Sequence, residues 1–167
     1  MRAEIEPRDI ELLIRWLENP HITRYLNEDR HVIRSLQQLL QTVPAPMLTF
    51  HFNQLGHFFL VCRSDGDTIG FVKLRELFER DTYEIVHVIG EETLWGHEYG
   101  ESAIRAALST AFLKWRARKV IAKIYPENQR SIRSVCSCGF SQNGEDNCLL
   151  RYEITMDTYL HRLRDVQ

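Results

Sequence analysis

A strand–loop–helix–strand pattern over residues 83–125 constrains the fold of this chain more than any other feature. Residues 83–89 (YEIVHVI) and 119–125 (KVIAKIY) have the β-branched composition of strands. Between them, a helix over 100–116 is predicted from apolar residues that recur with helical spacing at 103, 104, 107, 108, 111, 112 and 115. Because parallel strands need such a crossover connection, the pattern predicts a β-α-β unit and a sheet with a parallel pair.

Further strands and helices flank this unit. The other predicted strands are 2–6, 57–62, 68–77 and 149–156. The other predicted helices follow Asp9 and cover 31–42, 129–138 and 157–166, with a short helix or loop in PHITRYL. Asp65-Gly66 is a good hairpin turn between two of the strands. We therefore expect a mixed α/β sheet, antiparallel on the hairpin side and parallel beside the loop before helix 100–116.

The overall composition excludes several classes of protein. The length of 167 residues is typical of one domain, and we expect residues 1–167 to form a single one. A net charge of −2 gives no electrostatic footprint for nucleic acid. The N-terminus is charged throughout, unlike a signal peptide, and no apolar run reaches the roughly 20 residues that cross a bilayer. We therefore expect a cytoplasmic protein with neither a nucleic acid nor a membrane as its partner.

The cysteine and histidine patterns do not indicate a metal centre. The four cysteines include Cys136-x-Cys138, which lacks the two-residue gap of common zinc and redox motifs. In a helix over 131–138 these two thiols would point to different faces, so we expect ordinary reduced thiols. The seven histidines are scattered, without a His-x-x-x-His pair.

The loop within LWGHEYGESAIRAAL (94–108) is a candidate anion-binding site. A helix N-terminus offers backbone N–H groups without intrahelical partners and the positive end of the helix dipole. In open α/β sheets, ligands bind beyond the C-terminal ends of strands, where such a helix begins. However, Glu98 puts a carboxylate in the middle of this loop, and that charge opposes anion binding.

Three segments, in this order, resemble the GNAT superfamily of N-acetyltransferases, especially its ribosomal-protein N-terminal acetyltransferase-like branch. RDIELLIRWLENPHITRYL is similar to the opening helices of that branch. EIVHVIGEETLWGHEYGESAI is similar to its central strand and acetyl-CoA loop, and YPENQRSIRSVCSCGF to its Asn-x-x-Ser helix. The resemblance covers nearly the whole chain. It implies the GNAT fold, a mostly antiparallel sheet of six to seven strands with a splayed parallel pair at the acetyl-CoA site, and acetyl-CoA as cosubstrate without a metal.

The resemblance also implies a set of coenzyme-binding residues. The family loop, Gln/Arg-x-x-Gly-x-Gly/Ala, aligns with Trp95-Gly96-His97-Glu98-Tyr99-Gly100, and its amides would hold the pyrophosphate. Glu98 replaces the first glycine. Its side chain could face solvent while its amide donates, could occupy the anion site itself, or could weaken coenzyme binding. Asn128 and Ser131 match residues near the pantetheine arm or the adenosine phosphate, although helix capping would explain both equally well.

Acetyl transfer to an amine requires a base, because an alkyl amine is mostly protonated at pH 7. Glu84 resembles the catalytic glutamate of the histone-acetylating members, and a plain polar strand position is the alternative. His87 is the second candidate, on the opposite face of the strand. The backbone N–H of Val88 or Ile89 would polarise the thioester carbonyl. The usual tyrosine acid is absent, because Val135 stands at its position.

The sequence therefore predicts an acetyl-CoA-dependent N-acetyltransferase that acts by direct transfer in a ternary complex. Its acceptor would be a primary amine, either a protein N-terminus or a small molecule, and a homodimer is an assembly that the sequence leaves open. By fold analogy, Trp16, Tyr25 and Phe50 would line the acceptor side. The alternative is a non-catalytic coenzyme A-binding module or regulatory pseudoenzyme, for which Glu98 and Val135 are the arguments. A dinucleotide-binding domain is disfavoured, because there is no Gly-x-Gly-x-x-Gly motif and hairpins precede the loop.

Overall fold

The computed structural model describes residues 1–26, 31–54 and 56–165, and within them a mixed sheet forms the centre of the fold. The sheet has six strands in the order β1-β2-β3-β4-β6-β5. They are β1 (His57–Cys62), β2 (Thr68–Glu76), β3 (Thr82–Ile89), β4 (Lys119–Ile124), β5 (Ser141–Asp146) and β6 (Leu149–Thr155). Neighbouring strands are antiparallel except β3 and β4, which are parallel. This arrangement confirms the mixed, mostly antiparallel sheet with one parallel pair.

Helices flank the sheet on both faces. They are α1 (Pro7–Glu18), α2 (Pro20–Thr23), α3 (Val32–Thr42), α4 (Leu48–Phe52), α5 (Tyr99–Ser109), α6 (Gln129–Ser137) and α7 (Met156–Asp165). A π-helical turn over Thr110–Lys114 extends α5, and short 3-10 turns occur at Ala45–Met47 and Glu92–Leu94. The last predicted helical residue, Val166, lies outside the described residues. In the part of the chain that the structure describes, no helix is long and apolar enough to span a membrane.

The sheet separates two hydrophobic layers, because successive strand residues point to opposite faces. On one face, Phe71 and Val88 pack with α1, α3 and α4. On the other face, Val72 and Ile85 pack with α5, α6 and α7. The two layers hold β3 between α1 and α5, so the C-terminal end of this strand lies in a defined position.

The predicted first strand at 2–6 is wrong. Only Arg2 pairs with a strand, exchanging backbone hydrogen bonds of 2.9 and 2.8 Å with Leu60. Glu6 instead caps α1: its backbone N–H donates to Asp9 Oδ2 at 2.8 Å, and Pro7 takes the first helical position. The helix therefore begins before Asp9 rather than after it. Glu6, which the sequence pattern assigned to a strand, is the N-cap of this helix.

Two elements, α4 and β5, have no clear signal in the sequence. The residues of β5, SQNGED, are polar and mostly exposed, without the alternation of a half-buried strand. They form a strand because they pair with β6 at the sheet edge, with an irregular register between Gln142 and Glu145. Tertiary pairing rather than local pattern creates this strand. The strands predicted at 57–62, 68–77, 83–89, 119–125 and 149–156 agree with the structure to within a residue.

Candidate functional site

A cleft opens where β3 and β4 separate. The two strands pair only over their first three residues, yet they continue to Ile89 and Ile124. Their C-terminal ends therefore diverge, and a cleft of about 380 Å³ lies between them, bordered by the loop at 94–100 and by α6. We call this the first cleft. Its size is in the range of small-molecule binding sites.

Helix α5 begins at the mouth of the first cleft. The carbonyl of Glu98 accepts a hydrogen bond from the Ser102 N–H at 2.9 Å, which closes the first turn of the helix. The preceding amides of Tyr99, Gly100 and Glu101 have no acceptor within the helix. Together with the positive end of the helix dipole, these three donors form a site suited to an anion.

Glu98 itself adopts the left-handed backbone conformation that glycine favours. Its φ is +61°, and nearby Gly96 is also left-handed, with φ of +83°. A non-glycine residue in this conformation costs roughly 1 kcal/mol. The Glu98 side chain is exposed and makes no capping hydrogen bond to α5. Its carboxylate thus does not occupy the anion site, while its effect on coenzyme affinity stays a hypothesis. His97, beside it, is exposed as well.

Trp95 fixes the loop to the strand and to α6. Its indole N–H donates to the carbonyl of Ile89 at 2.8 Å, and the Arg130 guanidinium lies 3.5 Å from the ring centroid. Partial burial lowers the pKa of Arg130, and the nearby cation of Arg133 lowers it further. Both arginines line the first cleft. They were not predicted from the sequence, although a spacing of three residues puts both on one face of a helix.

Asn128 and Ser131 line the first cleft from the start of α6. The Asn128 side-chain oxygen accepts a hydrogen bond from the Ser131 N–H at 3.2 Å, so Asn128 caps this helix. The structure thus confirms the helix cap, and a coenzyme contact by Asn128 and Ser131 stays a prediction. Ser134 also lines the cleft and was not singled out from the sequence.

His87 points from β3 into the first cleft. A Cβ atom added to Gly100 would lie 3.7 Å from His87 Cδ2, so the ring is next to the start of α5. Burial lowers the pKa of His87 from 6.5 to about 4, and the Arg130 cation contributes in the same direction. The imidazole is therefore neutral at pH 7 and a weak base.

Glu84 faces the other side of the sheet, as strand alternation predicts. There it lines a second cleft, of about 580 Å³. Its carboxylate accepts a hydrogen bond from Arg75 at 2.6 Å, and its side chain is 12% exposed. The first and second clefts adjoin where β3 and β4 separate, a place that we call the splay. They share four lining residues, which are Tyr25, Leu26, Val86 and Lys123.

The strand register distinguishes the two predicted carbonyl-polarising amides. The Gly90 N–H donates to the Ile69 carbonyl on β2 at 2.9 Å. Because backbone groups alternate in direction along a strand, the Val88 amide also faces β2, opposite Phe71. The prediction for Val88 is therefore corrected. The Ile89 amide faces away from β2, toward the first cleft, and stays a candidate.

The aromatic residues expected on the acceptor side are divided among three environments. Tyr25 lines both clefts. Trp16 is 4% exposed and belongs to the core, where its indole N–H donates to Glu91 at 3.1 Å. Phe50 is 62% exposed and lines neither cleft. The expectation was thus wrong for Trp16, which α1 packs against the sheet, and for Phe50.

The cysteines agree with the expectation of ordinary thiols. All four are free, with Cys136 exposed and Cys138 buried on different sides of α6. Burial raises the pKa of the Cys138 thiol. Among residues 1–26, 31–54 and 56–165, no group of three or more His, Cys, Asp or Glu side chains is arranged to hold a metal ion.

Comparison with known proteins identifies a family match. Residues 3–141 match the family model described as an acetyltransferase (GNAT) domain. A curated relative from Bacillus licheniformis, the uncharacterized N-acetyltransferase p20, is 22% identical over 146 residues, which are 84% of this chain and 78% of the relative.

Two solved structures show the same fold. The spermidine N-acetyltransferase from Vibrio cholerae, solved with CoA and spermine, has a TM-score of 0.76 at 20% identity, covering 94% of this chain and 95% of that one. The aminoglycoside acetyltransferase AAC(6')-Ib, solved with coenzyme A, also has a TM-score of 0.76, at 18% identity and with 96% of each chain covered. None of these descriptions names a ribosomal-protein acetyltransferase, so that branch stays a prediction.

Proposed function

Because this chain belongs to the GNAT acetyltransferase family, we propose that it transfers the acetyl group of acetyl-CoA to a primary amine by direct attack in a ternary complex. One observation carries the proposal: β3 diverges from β4 with the N-terminus of α5 at the opening. The spermidine and aminoglycoside enzymes of similar fold support an amine as the acceptor class. A small amine and a protein N-terminus both fit this class.

The first cleft has the groups that coenzyme A requires. The amides at the start of α5, beside Gly100, would receive the pyrophosphate, and Arg130 and Arg133 would add positive charge from α6. A methyl group at Gly100 would meet nothing closer than 3.7 Å, so phosphate oxygens have room to approach that backbone. Trp95, Asn128 and the rest of loop 95–100 would complete the coenzyme contacts. Bound acetyl-CoA supplies an activated thioester.

The backbone of β3 would stabilise the charge that develops on the thioester oxygen. The Ile89 N–H, directed toward the first cleft, is the proposed donor. Trp95 fixes this segment by its hydrogen bond to the Ile89 carbonyl. A donor held in place by the sheet needs no reorganisation when the oxyanion forms.

The acceptor would enter from the second cleft and meet the thioester at the splay. Glu84 is the proposed base, taking a proton from the ammonium group directly or through water. Arg75 orients the Glu84 carboxylate. The free amine then attacks the carbonyl carbon, the carbon–sulfur bond breaks, and the proton that the acetylated nitrogen loses passes through water to the thiolate, because Val135 cannot act as an acid. His87 is the weaker candidate base, since burial lowers its pKa to about 4.

Thiol release with a panel of amines and N-terminal peptides tests this function. The wild-type protein should bind acetyl-CoA in calorimetry and release free thiol with at least one acceptor. Glu84→Gln should lower kcat by about 10²-fold without changing acetyl-CoA affinity, because it removes the proton acceptor but not the first cleft. Glu76→Gln, an exposed carboxylate on β2, is the matched control. An unchanged rate in Glu84→Gln would transfer the role to His87 or to water.

The second candidate is a coenzyme-binding module without catalysis. Exposed Glu98 at the anion site and buried Val135 in place of a tyrosine favour it. Acetyl-CoA binding without thiol release from any acceptor would support this candidate over the enzyme. Absence of acetyl-CoA binding in calorimetry, together with an unchanged melting temperature at millimolar excess, would contradict both.

A further inference from the structure

The second cleft lies on the part of the sheet face that α1, α3 and α4 do not cover. These helices pack on Phe71 and Val88, toward one end of the strands. Farther along the same face, β2 and β3 present Lys73, Arg75 and Glu84 to the second cleft instead. The acceptor side of the splay is therefore a charged surface of the sheet rather than an apolar pocket.

Three cationic residues lie in one line across this face. Lys73 is opposite Val86 in the β2–β3 register, and Lys123 is opposite Arg151 in the β4–β6 register. Continuing the β3–β4 register past its last pair places Val86 across the splay from Lys123. We call Lys73, Lys123 and Arg151 the cationic row. It crosses the sheet at Val86, which lines both clefts.

The carboxylates of the second cleft are already engaged. Glu84 is paired with Arg75 at 2.6 Å. Asp146 is paired with Lys123, and the hydrogen bond from that lysine lowers the pKa of Asp146. A polycationic acceptor would therefore find no unengaged carboxylate among the described residues that line this cleft.

Two members of the cationic row keep unused donors. Lys73 is partly buried and has neither a hydrogen bond nor an ion pair within the described part of the chain. Arg151 contacts Glu153 at 3.4 Å, but its Nε atom is buried without a partner among the described residues. Arg151 lines neither cleft and its Nε atom is buried, so Lys73 is the donor that a ligand in the second cleft can reach. An unpartnered cation that lines a cleft favours a ligand that carries negative charge.

We propose that the acceptor is an amine that also carries a carboxylate, bound by the cationic row through Lys73, and not a polyamine or an aminoglycoside. The proposal rests on the acetyl transfer proposed above and names its substrate class. Neighbouring strands lie about 5 Å apart, so Lys73 can reach a carboxylate a few bonds from an amine held at Val86. A free amino acid and a peptide N-terminus followed by an acidic residue share this chemistry.

Matched acceptors test the proposal at saturating acetyl-CoA. Lysine and cadaverine differ by one carboxylate, and glycyl-glutamate and glycyl-glutamine, both used as C-terminal amides, differ only by the carboxylate of one side chain. The carboxylate-bearing member of a pair should have a kcat/KM at least about tenfold higher. Preference within the first pair identifies an amino acid, and preference within the second pair identifies a peptide N-terminus.

Variants at Lys73 separate a contact with the acceptor from a structural effect. Lys73→Met should remove most of the preference by raising KM for the carboxylate-bearing acceptor, without raising KM for cadaverine, because the loss of a cation does not oppose binding of a dication. Lys114→Met, an exposed lysine of the π-helical turn, should retain the preference. Equal kinetics within both pairs, a preference for cadaverine or spermidine, or an unchanged preference in Lys73→Met would overturn the proposal, and thiol release would still support acetyl transfer.

A binding measurement applies if none of the acceptors is acetylated. With coenzyme A bound, lysine or glycyl-glutamate should raise the melting temperature of the wild type but not of Lys73→Met. That result supports the carboxylate site even when the enzymatic function fails. The proposal is overturned if cadaverine alone shifts the melting temperature, if none of the four compounds does, or if the shift is equal in the wild type and in Lys73→Met.

Discussion

At the scale of single residues, Glu98 combines a backbone effect with a charge effect. Its left-handed conformation, with φ of +61°, explains why the family loop has a glycine at this position. Its carboxylate favours the dipole of α5 while no anion is bound. The same carboxylate would repel a pyrophosphate held by the amides of α5. The sequence alone identified this residue, and the structure showed that its side chain is exposed.

Two substitutions separate these effects. Glu98→Gln keeps the backbone conformation and removes the charge, so it should tighten acetyl-CoA binding about fivefold, which corresponds to about 1 kcal/mol. Glu98→Gly should tighten binding similarly and also raise the free energy of unfolding by up to about 1 kcal/mol, because glycine adopts positive φ without strain. Calorimetry and urea denaturation measure the two quantities. Wild-type affinity in both variants would show that the carboxylate does not affect the coenzyme.

At the scale of elements, the junction of α1 with the end of β3 positions the splay. A Cβ atom added to Gly90 would lie 2.1 Å from the Trp16 ring. The ring is also held by its hydrogen bond to Glu91 at 3.1 Å. Helix α1 thus packs directly on the backbone that follows Ile89. The sequence shows that α1 is amphipathic, but not that its tryptophan meets a glycine about 75 residues later.

Gly90→Ala should therefore destabilise the fold by about 1–3 kcal/mol, because the Trp16 ring must move to admit the methyl group. Gly100→Ala is the matched control, since its methyl group would have ordinary contacts, the nearest at 3.7 Å. The control should be at least as stable as the wild type in urea and should keep its acetyl-CoA binding, since the family loop accepts alanine as well as glycine at this place. A Gly90→Ala variant as stable as wild type would contradict this packing argument.

Elements with regular hydrophobic spacing were predictable, and elements made by tertiary pairing were not. Helix α5 and the strands on either side of it follow the pattern that the sequence contains. The polar strand β5 exists because β6 offers an edge to pair with. Likewise, the hydrogen bond from the Glu6 N–H to Asp9 caps α1, so the predicted strand at 2–6 does not form.

At the scale of the whole molecule, the half-buried imidazole of His87 links stability to pH. Its pKa falls from 6.5 to about 4 in the folded protein because the ring is buried beside α5. Between these two values the unfolded chain binds a proton at this site that the folded protein does not bind. The free energy of unfolding therefore decreases as pH falls through this window, and no further loss comes from His87 below about pH 4.

The size of this effect can be isolated with a variant that does not titrate. From pH 7.5 to pH 5, His87 should contribute a loss of about 2 kcal/mol to the free energy of unfolding. His87→Gln should lose about that much less than the wild type over the same interval, since the other histidines are common to both. Urea denaturation at the two pH values gives the comparison. Equal losses in the two proteins would show that His87 keeps an ordinary pKa.

The local sequence by itself determined the β-α-β unit, the loop at 95–100 that precedes α5, and Glu98 in place of the family's glycine. These features follow from hydrophobic spacing and from contiguous motifs, which a linear chain expresses directly. Only the tertiary structure decided that β3 leaves β4 after Glu84, that the amide of Ile89 rather than that of Val88 faces away from β2, and that Arg130 packs on Trp95. Strand register and contacts between distant segments determine these features, and neither is encoded in local spacing.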